Sequence, residues 1–115
     1  MKYVDVMKYC LAKPGTTRVA LNNAGTAFGF SANGAFFGYF QTGAPIQWRL
    51  TLEVTEENYE KLLFPPKVLP ADDKPKGKWL TIVRVESFDE ELLLELIDWS
   101  YQSNVPSEAL NESVG

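Results

Sequence analysis

Lys76-Gly77-Lys78-Trp79-Leu80-Thr81-Ile82-Val83-Arg84-Val85, followed by Ser87-Phe88-Asp89-Glu90 and the run from Glu91 to Gln102, decides the fold of this chain. The first part, dense in β-branched and aromatic residues, predicts a strand over 78–85. Ser87 with Glu90 three residues later forms a capping-box pattern, so a helix is expected to begin at Ser87. Along it Phe88, Leu92, Leu96 and Trp99 recur at helical spacing, widened by Leu93, Ile97 and Tyr101, which predicts a helix packed on a sheet.

Upstream, Ile46, Trp48, Leu50, Leu52 and Val54 alternate with Gln47, Arg49, Thr51 and Glu53, the period of a strand with one buried face and one wet face. Before it, Asn33-Gly34 stands between Phe28/Phe30 and Phe36/Phe37/Tyr39/Phe40. That dipeptide accepts positive φ at both positions and predicts a two-residue hairpin joining strands at about 26–32 and 35–41. A shorter extended segment runs from Arg18 to Leu21. At the amino end Tyr3, Met7, Cys10 and Leu11 make a helical stripe over about 3–12, stopped by Lys13-Pro14-Gly15. Thr55 with Glu56 and Glu57 opens a helix of about two turns, which Pro65-Pro66 cannot continue. Lys67 to Lys76, rich in proline and charge, is expected to be an exposed loop or a weak edge strand. The order is α-β(3–4)-α-β(1–2)-α. It defines an α+β domain over 1–104, with an antiparallel sheet of about five or six strands covered on one side by the first and last helices. A flexible tail is expected over 105–115.

Composition narrows the chemistry. With 115 residues, 45% of them hydrophobic, the chain can bury one core without staples. One cysteine, Cys10, allows no internal disulfide and is expected to be an inert buried thiol. Histidine is absent, which removes the commonest general base near neutral pH and the commonest transition-metal ligand. The chain has neither a long apolar run nor the h-region of a signal peptide, so a soluble cytoplasmic protein with no membrane partner is expected. The glycines make no phosphate loop, and neither Glu56-Glu57 nor Asp72-Asp73 has the spacing of an acid/base pair. No enzyme, cofactor or metal is therefore expected.

Two candidate surfaces remain. The net charge is −4, but Lys67, Lys74, Lys76, Lys78 and Arg84 form a local basic arm beside the acidic stretch Glu86 to Asp98. With Trp79 as a stacking ring, this arm is the candidate nucleic-acid contact. Phe36 and Phe37, being consecutive, put aromatics on both faces of one strand while only one face has helices to cover it. Phe36, Phe37 and Tyr39 are thus the candidate surface for a homodimer or a protein partner.

Three motifs carry a family resemblance: Tyr9-Cys10-Leu11 with Lys13-Pro14-Gly15, Lys76-Gly77-Lys78-Trp79-Leu80-Thr81, and Glu95-Leu96-Ile97-Asp98-Trp99-Ser100-Tyr101. In this order and spacing, over roughly 3–103, the chain resembles a divergent member of the MmcQ/YjbR family. It departs from the family pattern in Thr16-Thr17-Arg18-Val19-Ala20 and in Asp72-Asp73 within the arm. The resemblance implies a secretion-chaperone-like α+β fold of the double-wing type, and a DNA-binding module rather than an enzyme.

Overall fold

The computed structural model describes residues 1–43, 47–71 and 77–106. Helix α1 (Tyr3–Leu11) leads into β1 (Thr16–Ala20), β2 (Ala27–Ala32), β3 (Ala35–Gly43) and β4 (Gln47–Val54); α2 (Glu56–Leu62), β5 (Val68–Pro70), β6 (Lys78–Ile82) and α3 (Glu90–Asn104) follow. The six strands form one antiparallel sheet in the order β1-β2-β3-β4-β6-β5. The domain is α+β, as the element order predicts.

Local chemistry accounts for the joints. Asn33 and Gly34 take φ of 51° and 82°, the two positive values that a type I′ hairpin needs. Phe37 is an extra residue in β3, because Phe30 pairs with Gly38 while Ser31 pairs with Phe36. This bulge shifts the strand's parity. Phe36 and Tyr39, three residues apart, stack with ring centroids 5.4 Å apart, while Phe37 is fully buried beside Phe30 and Tyr101. Gly29 has no side chain because the Phe36 ring occupies that space: a Cβ there would lie 2.5 Å from a ring carbon.

The core lies between one sheet face and the helices. Phe28, Phe40, Leu50, Ile82 and Val68 form one row across the sheet, and Phe30, Leu52 and Leu80 the next. Val6 and Cys10 of α1, and Leu93, Leu96, Ile97 and Tyr101 of α3, close over them. Helix α3 packs across β3 and β4, and α2 lies near β6.

Four expectations need correction. The last strand ends at Ile82, because the chain turns through a single 3-10 turn at Val85–Ser87 that plants Val85 in the core. The cap of α3 is accordingly Asp89, whose carboxylate accepts from the Leu92 amide at 2.8 Å, and not Ser87. The buried stripe of α3 is Leu93, Leu96, Ile97, Ser100 and Tyr101, which leaves Trp99 37% exposed at its border. The outer face of β4 is not wet where Thr51 and Glu53 stand: both are buried, and the Thr51 and Thr81 hydroxyls share a 2.7 Å hydrogen bond. At the carboxyl end Val105 is buried, and the tail from Ser107 onward lies outside the described residues.

Candidate functional site

The site forms where α2 gives way to the sheet edge. Thr55 caps α2 by accepting from the Asn58 amide at 3.0 Å, and Pro65-Pro66 then turns the chain back into β5. Phe64 and Val68 exchange two backbone hydrogen bonds, of 3.0 and 2.9 Å, which hold this return tight. On the inner side of β5, the Val83 amide donates to the Lys67 carbonyl at 3.0 Å. Because Leu50 pairs with Ile82, Arg49 falls opposite Val83. Lys67, just before β5, and Val83, just after β6, thus lie in one line with Arg49 of β4.

A groove of about 860 Å³ opens here. Its cations are Arg49, Lys61, Lys67 and Arg84, and among the described residues no carboxylate lines it. Leu63, Phe64 and Phe88 supply apolar wall, and Phe64 is 61% exposed. The acidic residues nearest in sequence to Phe88 are Glu86 and Asp89; neither lines the groove, and Asp89 is occupied as the α3 cap. Among the described residues the one ion pair is Lys13–Asp98, so none of the four groove cations is neutralised by another described residue. Arg49 Nε is buried without a hydrogen-bond partner among the described residues. Four cations that no described carboxylate pairs, around exposed apolar surface, can hold a ligand that is anionic along one side and apolar on another.

The residues expected from the sequence divide in several ways. Lys67 and Arg84 meet in the groove. Lys78 sits at the opposite end of β6, paired with Val54, and its Nζ lies 5.1 Å from the Tyr59 ring centroid. Trp79 is 4% exposed and packs against Tyr39 at 5.7 Å, so it is an internal ring rather than a free stacking surface. Lys74 and Lys76 lie outside the described residues. Of the aromatic surface, Phe36 and Tyr39 are half-buried on the helix-free face, whereas Phe37 is a core residue because the bulge turns it inward. Arg49, Lys61 and Phe64 line the groove without standing out in the sequence as site residues. The signal for Arg49 was its outward phase in the β4 alternation, and for Phe64 an aromatic placed immediately before Pro65-Pro66.

The other polar clusters join elements. Tyr9 donates to Asp98 Oδ1 at 2.7 Å, Lys13 makes its ion pair with the same oxygen, and Tyr101 donates to the Pro14 carbonyl at 2.7 Å. The hydrogen bond to Asp98, and then burial, push the Tyr9 hydroxyl above its usual pKa. Burial alone would lower Lys13, but its hydrogen bond to Asp98 and that carboxylate's charge carry it upward. Desolvation pushes the Cys10 thiol up to about 12, so it stays protonated and unreactive near neutral pH. Among the described residues no group of three acidic or cysteine side chains could hold a metal, and no helix is long and apolar enough to cross a membrane. A void of about 10 Å³ among Leu52, Leu80 and Leu96 holds at most about one water.

The fold and groove define a small α+β domain with a basic, partly apolar edge. It is similar in structure to Deinococcus radiodurans protein DR2400, a DUF419 domain, with TM-score 0.71 and 22% identity over 87% of this chain and 75% of that one. It is also similar to a protein from Pseudomonas syringae, with TM-score 0.72 and 19% identity over 90% of this chain and 98% of that one. At such identities the likeness is one of fold. No family model matches the chain, and no curated protein matches it.

Proposed function

We propose that this protein is a non-enzymatic binding module that takes nucleic acid in the groove between α2 and the β5–β6–β4 edge. The observation that carries the reading is the convergence of Arg49, Lys61, Lys67 and Arg84 on one groove whose lining, among the described residues, contains no carboxylate. Local charge of this kind attracts phosphates even on a chain whose net charge is −4. The resemblance to MmcQ/YjbR proteins, with the DNA-binding role it implies, supports the same reading.

The test is a salt titration of binding to labelled DNA. If all four cations meet phosphates, log K should fall against log salt with a slope of about −3.6 on duplex and somewhat less on single strands. Lys67→Glu with Arg84→Glu should abolish binding without moving the melting temperature, since both residues are exposed. Lys78→Glu, at the far end of β6, should weaken it much less. No affinity at low salt, or equal sensitivity to all three changes, would remove the groove as a nucleic-acid site.

A second reading is self-association through the helix-free sheet face, favoured by the stacked, half-buried pair Phe36–Tyr39. A strictly monomeric mass by sedimentation at micromolar concentration would dismiss it.

A further inference from the structure

Resting on the nucleic-acid reading of the groove, we infer that its ligand is a single strand whose base stacks on Phe64 while its phosphates meet Lys67, Arg84 and Arg49.

Three observations lead there. The first is the ring itself. Phe64 is 61% exposed, the most exposed large hydrophobic side chain among the described residues, and it stands in the wall of a groove that also holds four cations. A duplex keeps its base faces stacked and offers such a ring only base edges, sugar and phosphate unless it is unstacked. A single strand offers phosphates and an open base face together, and stacking of bases on aromatic rings beside a cationic track is how sequence-tolerant single-strand binders work.

The second is the position of Phe64 in the backbone. Its amide and carbonyl are both committed to Val68, and Pro65-Pro66 follows at once, so the ring is presented from a held turn rather than from a free loop. A ring already held in place loses little conformational freedom on stacking.

The third is what the edge refuses. An extended peptide would dock on a sheet edge by adding a strand, which requires free backbone donors and acceptors on β5. The Val68 amide and carbonyl are taken by Phe64, and Pro70 has no amide hydrogen. The edge is blunted against strand addition. Recognition falls to side chains, and these are cations and an aromatic ring.

The test measures anisotropy of the full chain with labelled oligothymidine, labelled oligoadenosine, the duplex of those two strands, and an acidic peptide of alternating glutamate and leucine. Both single strands should bind about tenfold or more tightly than the duplex. Phe64→Ala should weaken single-strand binding by about tenfold or more, and Phe64→Trp should restore it. Exposure of Phe64 keeps both variants folded, which the melting temperature verifies. Duplex binding as tight as single-strand binding, or an F64A affinity like that of the parent, would overturn the single-strand inference while leaving the groove as a nucleic-acid site. Binding of the acidic peptide alone, or of none of the probes, would overturn both readings.

Discussion

Ser100 holds two strands where their ladder has ended. The paired register of β3 and β4 stops at Gly38 and Leu52, and beyond it the bulge at Phe37 carries β3 away from its neighbour. The Ser100 hydroxyl, fully buried on α3, accepts from the Glu53 amide at 3.1 Å and donates to the Phe37 carbonyl at 2.6 Å. One side chain therefore satisfies an orphan donor and an orphan acceptor, and it ties α3 to the sheet by the same two bonds. Ser100→Ala should leave both backbone groups buried and unpaired, at a cost of about 1–3 kcal/mol per unsatisfied group. Urea denaturation would show this as a lower midpoint with an unchanged slope. A loss within about 0.5 kcal/mol, the range of an ordinary surface substitution, would mean that the groups find other partners. In the sequence, Ser100 is only a polar residue within an apolar helix face. The pattern of hydrophobicity does not say that a strand needs it.

At the scale of elements, the start of α3 separates two chemically reasonable caps. Ser87 and Glu90 have capping-box spacing, but Val85 anchors a turn in the core and delays the helix until Asp89, whose carboxylate takes the Leu92 amide. Asp89→Ala should cost about 1 kcal/mol, whereas Ser87→Ala should stay within about 0.5 kcal/mol. Paired thermal melts would decide, and the reverse order would restore Ser87 as the cap. This difference shows where local sequence is sufficient. The Asn33-Gly34 hairpin and the Thr55 cap of α2 are fixed by neighbouring residues alone, and the alternation of β4 places Leu50, Leu52 and Val54 inward. The α3 stripe is ambiguous because the helix carries two overlapping apolar faces, and the one that wins includes polar Ser100. The bulge in β3 is invisible for a related reason: its effect is to reassign Phe36 and Phe37 between faces, and only the pairing with β2 shows which goes where.

The whole molecule brings together residues that the sequence keeps apart. Arg49 lies in β4 and Lys61 in α2, while Lys67 just precedes β5 and Arg84 follows β6, and the strand order β4-β6-β5 with α2 beside it makes one groove of them. A reading by local charge finds Lys67 and Arg84 but also collects Lys78, which the strand carries to its other end. The same closure places the first family-like motif against the last, since Asp98 takes both Tyr9 and Lys13 while Tyr101 bonds to Pro14. These motif residues join the ends of the domain, and their titration gives that junction a pH signature. The Tyr9 hydroxyl is raised by its hydrogen bond to Asp98 and by burial; for the Lys13 ammonium the Asp98 hydrogen bond and charge overcome burial; desolvation raises Tyr101; and desolvation pushes the Cys10 thiol up to about 12. In each case the folded pKa lies above the unfolded one, so the unfolded chain releases its proton first and binds fewer protons across the interval. Stability contributed by these groups is fully present below the unfolded values, about 8.5 for a thiol and about 10 for tyrosine and lysine, and is lost as pH rises through the folded ones. Urea midpoints should therefore decline from about pH 8.5 upward. Cys10→Ala should flatten the first part of that decline even though the smaller side chain lowers stability at pH 7. Asp98→Asn should flatten the later part and cost about 1 kcal/mol or less from the ion pair itself, which solvent screens. Midpoints that stay level to pH 11, or a decline untouched by either substitution, would mean that the junction between the first and last helices is not held by these groups.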